Sequence, residues 1–336
     1  MRKALIAIIL LTLTATGATW GFLAAIQPTR LREPRVIAIQ PGESFRSVAQ
    51  QLAAAGVVRS AALFVVYGEW SGRAGRVKPG DYAFPGGESL NELLKRLVEG
   101  DFLTITVAIP EGLTVHQIGQ RLQAAGLVCD GEFDAEATDG PLLRALGLGT
   151  FGAEGFLFPA TYRFSPRART DDLLAAMLAE FFARLTPPIE QRMFDLGLDA
   201  REVVTLASII EREAKVAGER PVIASVFYNR LAAGMPLQSD PTAQYNFTGE
   251  RPAARAAVHT ASAYNTYAIV GLPPGPIANP GWPAIAAALY PAHTDYLYFV
   301  ARDDGTHIFS RSFREHQRAV EELRSAAWRS PRHAGH

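Results

Sequence analysis

The sequence predicts an α+β protein: an N-terminal transmembrane helix, a small module of βα units, and a C-terminal mixed α/β domain. Three observations predict it. An uncharged run fills residues 4–26, and no second run of that length occurs. Segments that read as strand, turn and amphipathic helix recur at residues 39–58, 84–100 and 109–128. The last third then combines a capped helix, a loop rich in Pro, Gly, Asn and Tyr, and a hairpin signal. The boundaries fall at 1–36 for anchor and linker, 37–105 for the βα module, 106–197 for a middle α+β region, and 198–336 for the C-terminal domain.

The uncharged run ALIAIILLTLTATGATWGFLAAI (Ala4–Ile26) follows Arg2 and Lys3. At ~1.5 Å per residue it spans roughly 35 Å, enough to cross a ~30 Å hydrocarbon core. A cleaved export signal is the alternative, with its apolar region at Leu5–Leu13 and small residues at Ala15, Gly17 and Ala18. Apolar residues continue through Trp20, Phe22, Leu23 and Ile26, which favours a retained anchor. Either way the rest of the chain is expected outside the cytoplasm. Arg30, Arg32 and Arg35 follow the span and weaken the charge asymmetry that sets orientation.

After a linker carrying Pro28 and Pro34, IQPGESFRSVAQQLAAAGVV (Ile39–Val58) echoes IPEGLTVHQIGQRLQAAGLV (Ile109–Val128). Ser44, Ser89 and Thr114 are the expected N-caps, and the faces Phe45/Val48/Leu52 and Val115/Ile118/Leu122 recur at i, i+3, i+7. Units this small cannot bury a face alone and must pack on neighbours. Further on, the sequence predicts a helix over Asp171–Arg184 ahead of Pro187-Pro188. It also predicts a hairpin from YLYFV (Tyr296–Val300) through Asp304-Gly305 to THIFS (Thr306–Ser310), and a terminal helix from Ser312 to about Trp328.

Composition excludes several classes. The 33 Lys+Arg balance the 33 Asp+Glu, so the chain lacks the basic field of a general nucleic-acid binder. Cys129 is the single cysteine, which allows neither an intramolecular disulfide nor a Cys-built metal site. The seven His show no His-x-x-x-His spacing. No metal and no other cofactor is expected.

The chemistry concentrates in LDAREVVTLASIIEREAKVAGERP. Asp199 with Glu202 forms an N-capping box, and Gly218 with Pro221 marks the expected helix end. Glu211 and Glu213 stand two apart, so on a helix they point about 200° from one another. They cannot be a facing catalytic pair. Glu211 has Lys215 at i+4, the favourable order for an ion pair that keeps it charged. Glu213 has Ile209, Ile210, Val216 and Ala217 at its i±3 and i±4 positions. An apolar surround raises a carboxyl from ~4.3 toward ~6, the range of a general acid near neutral pH. A solvated surface Glu is the bland alternative. Against it stand GMPLQSDPTAQY (Gly234–Tyr245) and AYNTYAIVGLPPGPIANPG (Ala263–Gly281), aperiodic loops far longer than an ordinary ~4–6-residue connection. Their amides, hydroxyls and aromatic faces suit a sugar.

These residues resemble the endolytic murein transglycosylases, the YceG-like or MltG family. The resemblance rests on EGFLFP (Glu154–Pro159), ASIIERE (Ala207–Glu213), SVFYNRL (Ser225–Leu231), LQSDPT (Leu237–Thr242), YNTY (Tyr264–Tyr267) and GLPPGPIANPG (Gly271–Gly281). Residues 37–105 resemble a LysM-type module, a small glycan-binding βααβ fold, with a purely structural spacer as the alternative. The family resemblance implies a single-pass inner-membrane protein with its body in the periplasm. It implies cleavage inside peptidoglycan glycan strands, terminating or trimming nascent ones, in the company of cell-wall synthases. It makes Glu213, the second Glu of its motif, the acid that protonates the β-1,4 bond between N-acetylmuramic acid and N-acetylglucosamine. The same group then serves as base, giving 1,6-anhydro ends. Gln238, Asp240, Tyr264, Asn265 and Thr266 are the candidates for positioning substrate. Asp240 before Pro241 reads equally as a turn residue, and His307 reads as a core or rim residue. The sequence departs from the family pattern at Ala160 (commonly Asp), at Ala261-Ser262-Ala263 (often with a Pro) and at Gln317 (commonly Asn). These departures bear on accessory contacts. Two rivals stay open: a hydrolase using Glu213 with Asp240, and a non-catalytic glycan-binding scaffold.

Overall fold

In a computed structural model, residues 27–149, 151–245 and 258–328 are described. The apolar run at 4–26, expected to span a membrane, lies outside the described residues. No described helix is long and apolar enough to cross a membrane. The architecture is mixed: helices with three two-stranded sheets. The chain forms two compact units, one running to Thr106 and including Arg163–Arg167, the other taking Val107–Tyr162 and the chain from Ala168 onward.

In the first unit, strand β1 (Arg35–Ile39) pairs antiparallel with β2 (Gly80–Phe84), in register from Arg35↔Phe84 to Ile39↔Gly80. Helices α1 (Phe45–Ala54) and α2 (Ala61–Trp70) lie between the strands in sequence, and α3 (Leu90–Glu99) follows. Each helix begins where a serine caps it: the Ser44, Ser60 and Ser89 side chains accept the N–H three residues on. Val48, Leu52, Phe64, Tyr82, Phe84 and Leu94 form the core. The i, i+3, i+7 face of α1 is therefore the one that packs, with Phe45 at its half-buried edge.

Strand β3 (Ile105–Ala108) pairs with β4 (Thr161–Phe164). In the second unit, α4 (Val115–Ala124) starts at a Thr114/Gln117 capping box and buries Ile118 and Leu122. After α5 (Glu132–Asp139) and α6 (Pro141–Ala145) come α7 (Thr170–Phe182) and α8 (Pro187–Leu196), the latter with its prolines in the first turn, where a missing N–H costs nothing. The centre of the unit is α9 (Ala200–Glu213), capped by Asp199 and Glu202. Eight consecutive residues, Val203–Ile210, are buried. A helical stretch buried on every side lies inside a core, and α10 (Arg220–Ala232) and α12 (Trp282–Leu289) pack against it. The short α11 (Asp240–Gln244) also contacts it. The hairpin pairs β5 (Tyr298–Ala301) with β6 (His307–Ser310), and α13 (Phe313–Trp328) follows.

One sequence expectation is corrected. The helix does not continue to Gly218 but stops at Glu213, where Ala214 turns extended (φ −75°, ψ 113°). Pro221 belongs to the first turn of α10, so the reversal between the two helices takes up residues 214–219. Lys215 therefore sits off the helix, and the expected i+4 pair with Glu211 does not form. Glu211 instead pairs with Arg220 at 3.3 Å and accepts the Gly281 N–H at 3.2 Å.

Candidate active site

The helix end puts Glu213 in a particular electrostatic position. It is the last helical residue of a buried helix, at the negative end of the helix dipole, where a carboxylate is disfavoured. Burial pushes its carboxyl up from 4.5 to about 7, and the charge of Asp240 adds to the rise. The Ser239 hydroxyl, donating to Oε1 at 2.5 Å, and the charge of Arg212 act in the opposite sense. Such a group holds a proton at mildly acidic pH and can release it near neutrality, as an acid that later serves as base must.

Glu213 lines a cavity of about 210 Å³ with Arg230, Gln238, Asp240, Tyr267 and His307 among its walls. The loop Leu237–Asp240 forms one wall, and its shape is imposed. Buried Arg230 donates from Nε to the Leu297 carbonyl (2.6 Å) and from Nη1 to the Leu237 carbonyl (2.8 Å) and Gln238 Oε1 (3.2 Å). Gln238 has φ +53°, alone among described non-glycine residues in positive φ. That conformation costs about 1–2 kcal/mol and persists where surrounding bonds over-determine it. Ser239, 1% exposed, donates its N–H to Thr266 Oγ1 at 3.0 Å. Thr266 and Thr242 share a hydroxyl bond of 2.7 Å, and Thr242 donates back to the Ser239 carbonyl at 2.6 Å. Two threonine hydroxyls thus fix the serine whose own hydroxyl meets Glu213.

The five predicted substrate-binding residues fall in three places. Gln238 and Asp240 are exposed at the cavity, and Asp240 accepts a 2.6 Å hydrogen bond from the Tyr267 hydroxyl. Asn265 and Thr266 are buried behind it. The Asn265 amide donates to the Val258 and Thr260 carbonyls and accepts the Tyr267 N–H, so its polar atoms shape the loop. Tyr264 packs against Tyr245, ring centres 4.8 Å apart and planes tilted by 45°.

A second buried carboxyl supports the framework. Glu154 of EGFLFP accepts bonds from the Val115 N–H, the Asn279 amide (2.9 Å) and the Tyr245 hydroxyl (3.1 Å). Burial raises it from 4.5 to about 7. Asn279, fully buried, also accepts the Leu157 N–H at 2.8 Å and donates to the Leu113 carbonyl at 3.0 Å. At Gly155 (φ +87°) a methyl group would stand 2.5 Å from Pro276, so only glycine fits beneath that loop.

His307 is buried in the hairpin, its Nδ1 2.6 Å from Glu219 Oε2, and its ring lines the same cavity as Glu213. Among the described residues no group of three or more His, Cys, Asp or Glu is arranged to hold a metal ion.

The sequence model of the YceG-like family matches residues 37–322, which takes in the whole of this site. The chain belongs to the YceG-like family. It is similar to the endolytic murein transglycosylase of Bacillus subtilis, 32% identical over 86% of this chain and 85% of that protein. The endolytic murein transglycosylase of Streptococcus pneumoniae D39 is 30% identical over 94% of this chain, which spans only 64% of the pneumococcal protein. The crystal structure of the yceG-like protein lmo1499 of Listeria monocytogenes superposes with a TM-score of 0.57 at 29% identity, covering 86% of this chain and all of that one.

Within the family's sequence pattern, Ser239, Arg230, Tyr267 and Glu154 all lie inside motifs legible in the chain. Their roles were not legible. A serine between Gln238 and Asp240, or an arginine in SVFYNRL, carries no sign of what it bonds until the loop and hairpin are brought together.

Proposed function

We propose that the protein is an endolytic lytic transglycosylase of peptidoglycan. It cleaves the β-1,4 bond from N-acetylmuramic acid to N-acetylglucosamine and leaves 1,6-anhydro ends. The observation that carries this reading is the Glu213 carboxyl, raised to about 7 beside a single hydroxyl donor in an open cavity. Glu213 donates its proton to the bridging oxygen as the C1–O bond breaks. Its carboxylate then accepts the proton of the muramic 6-hydroxyl as that oxygen bonds C1. The proton count closes without water, and one carboxyl serves both steps. The names of the relatives, endolytic murein transglycosylases, support the substrate and the internal cut.

The same reading places the chain in the inner membrane through residues 4–26, with its body in the periplasm. It acts on nascent strands beside cell-wall synthases, and the strand–helix–helix–strand order of residues 35–84 supports a LysM-like contribution to holding glycan.

The test is product analysis by mass spectrometry on purified sacculi. Wild-type protein is expected to release anhydro-ended fragments, and Glu213→Gln to release none while binding strands as before. Reducing ends would instead mean that water attacks, with Asp240 as the second carboxylate of a hydrolase. Undiminished cleavage by Glu213→Gln would remove the catalytic assignment.

A further inference from the structure

His307 opens β6 and lends its ring to the wall of the Glu213 cavity, edge-on to Phe299, with ring centres 5.3 Å apart and planes at 89°. Its setting is more specific than packing requires. Glu219 ends the reversal that leads away from the acid's own helix, and it takes two groups of this one residue. Its Oε1 accepts the His307 backbone N–H at 3.1 Å, and its Oε2 meets Nδ1 at 2.6 Å. One carboxylate thus anchors the strand start and the ring together, in a contact that leaves the histidine side chain only 3% exposed. A carboxylate can only accept, so Nδ1 carries the proton. In the neutral ring Nε2 then holds a lone pair, and it is the nitrogen left to meet a ligand.

The cavity, about 210 Å³, is smaller than the ~300–1,000 Å³ of ordinary ligand pockets, which leaves room for one sugar unit and not for several. On the peptidoglycan reading, that unit is the muramyl residue whose C1 is attacked. Inside a strand its O1 and O4 are glycosidic, its O3 carries the lactyl group and its O5 closes the ring. Two hydrogen-bond donors remain on the sugar, the 6-hydroxyl and the N–H of the 2-acetamido group. The 6-hydroxyl proton goes to Glu213. In the same wall, Gln238 Oε1 and an Asp240 oxygen already accept from Arg230 and Tyr267. The acetamido N–H therefore falls to the histidine.

We propose that His307 Nε2 accepts a hydrogen bond from the 2-acetamido N–H of the muramyl residue being cleaved, with Glu219 as the residue that positions the ring. The inference rests on the peptidoglycan reading above. It makes the N-acetyl group a feature that the cavity reads, through a bond that moves no proton and fixes the rotation of the sugar beside the acid. Glu219 holds the tautomer and the ring angle on which that bond depends.

Equilibrium binding to full-chain Glu213→Gln protein, which leaves strands uncut, tests this with synthetic tetrasaccharide probes. The internal muramyl unit carries the natural 2-acetamido group, a 2-acetoxy group of the same shape without the N–H, or the acetamido group beside a 6-deoxy carbon. His307→Asn is added to the same protein, because an Asn amide keeps a donor where Nδ1 stands and has no atom at Nε2. The parent protein is expected to bind the acetamido probe about five-fold more tightly than the acetoxy probe, the worth of one hydrogen bond. Adding His307→Asn should erase that preference and leave the acetoxy affinity as it was. Glu219→Ala should shrink the same preference, and a preference it leaves untouched overturns the positioning role. The 6-deoxy probe should lose as much on His307→Asn as the natural one. An equal loss on the acetamido and acetoxy probes would mean that His307 only supports the fold. A loss missing from the 6-deoxy probe alone would put the 6-hydroxyl on Nε2. Either result overturns the inference, as does a parent protein with no preference. The murein reading itself fails on a different result, no binding of any probe by any of these proteins.

Discussion

At the scale of single residues, the site turns on how Glu213 is held between two protonation states. Burial and Asp240 favour the acid, while Ser239 and Arg212 favour the carboxylate. The Ser239 bond is charge-assisted once Glu213 ionises, worth about 1.5–3 kcal/mol. Ser239→Ala should therefore raise the Glu213 pKa further and move the basic limb of the pH–rate profile to higher pH. At neutral pH kcat should drop about ten- to hundred-fold, because the carboxylate formed on proton donation loses its hydrogen-bond donor and the side chain is no longer held in place. A profile unchanged in position would show that Ser239 does not govern the proton. The upward shift of the Glu213 carboxyl is legible in the sequence, because its apolar neighbours Ile209 and Ile210 are local. Ser239 was not, since the residue it bonds is 26 positions away. Asn265 and Thr266 read in sequence as candidates for positioning substrate and not as buried loop residues, because a polar residue in a loop looks the same in sequence whether it faces sugar or backbone. His307 was readable only as core or rim, and its carboxylate partner Glu219 lies 88 positions upstream.

At the scale of elements, starts were more legible than stops. Ser44, Ser89, Thr114 and Asp199 all cap the helices their sequences predict, because capping is a bond to the N–H three residues on. The stop of α9 depends on where α10 must begin, and the Gly218-Pro221 signal alone puts it five residues past Glu213. That difference matters functionally: the early stop lets residues 214–219 turn away, and it frees Lys215 from Glu211. Glu211 then ties Arg220 and Gly281 together instead, bracing the start of α10 and of α12. The cap at the far end should matter to stability rather than to chemistry. Asp199→Ala removes the bond to the Glu202 N–H, 2.8 Å, and is expected to cost about 1 kcal/mol. Denaturant unfolding should register that cost, while kcat well below the unfolding transition stays near wild type. A loss of kcat without a loss of stability would mean that the cap also sets the register of Glu213.

At the scale of the whole molecule, the mixture of helices and small sheets was legible from periodicity, whereas the packing that raises two carboxyls to about 7 was not. Glu213 and Glu154 both sit well above their ordinary 4.5, chiefly through burial. The folded state therefore holds both protons more tightly than the unfolded chain does. Between about pH 4.5 and about pH 7 the unfolded state has released protons that the folded state retains. Stability must then fall as pH rises through that window, by at most about 3 kcal/mol per group. Glu88 and Glu111, also raised by burial, act in the same direction. His316, held below 6.5 by burial and by Arg230, acts in the opposite one. Chemical denaturation of the full chain should give a lower unfolding free energy at pH 8 than at pH 5. Glu154→Gln should flatten part of that slope without raising activity, because its amide cannot ionise yet still bonds Tyr245 or Val115. Glu213→Gln should flatten another part while abolishing cleavage. A wild-type stability that is level or rising from pH 5 to 8 would mean that these carboxyls are solvated, and the proton store invoked for catalysis would be lost with the slope.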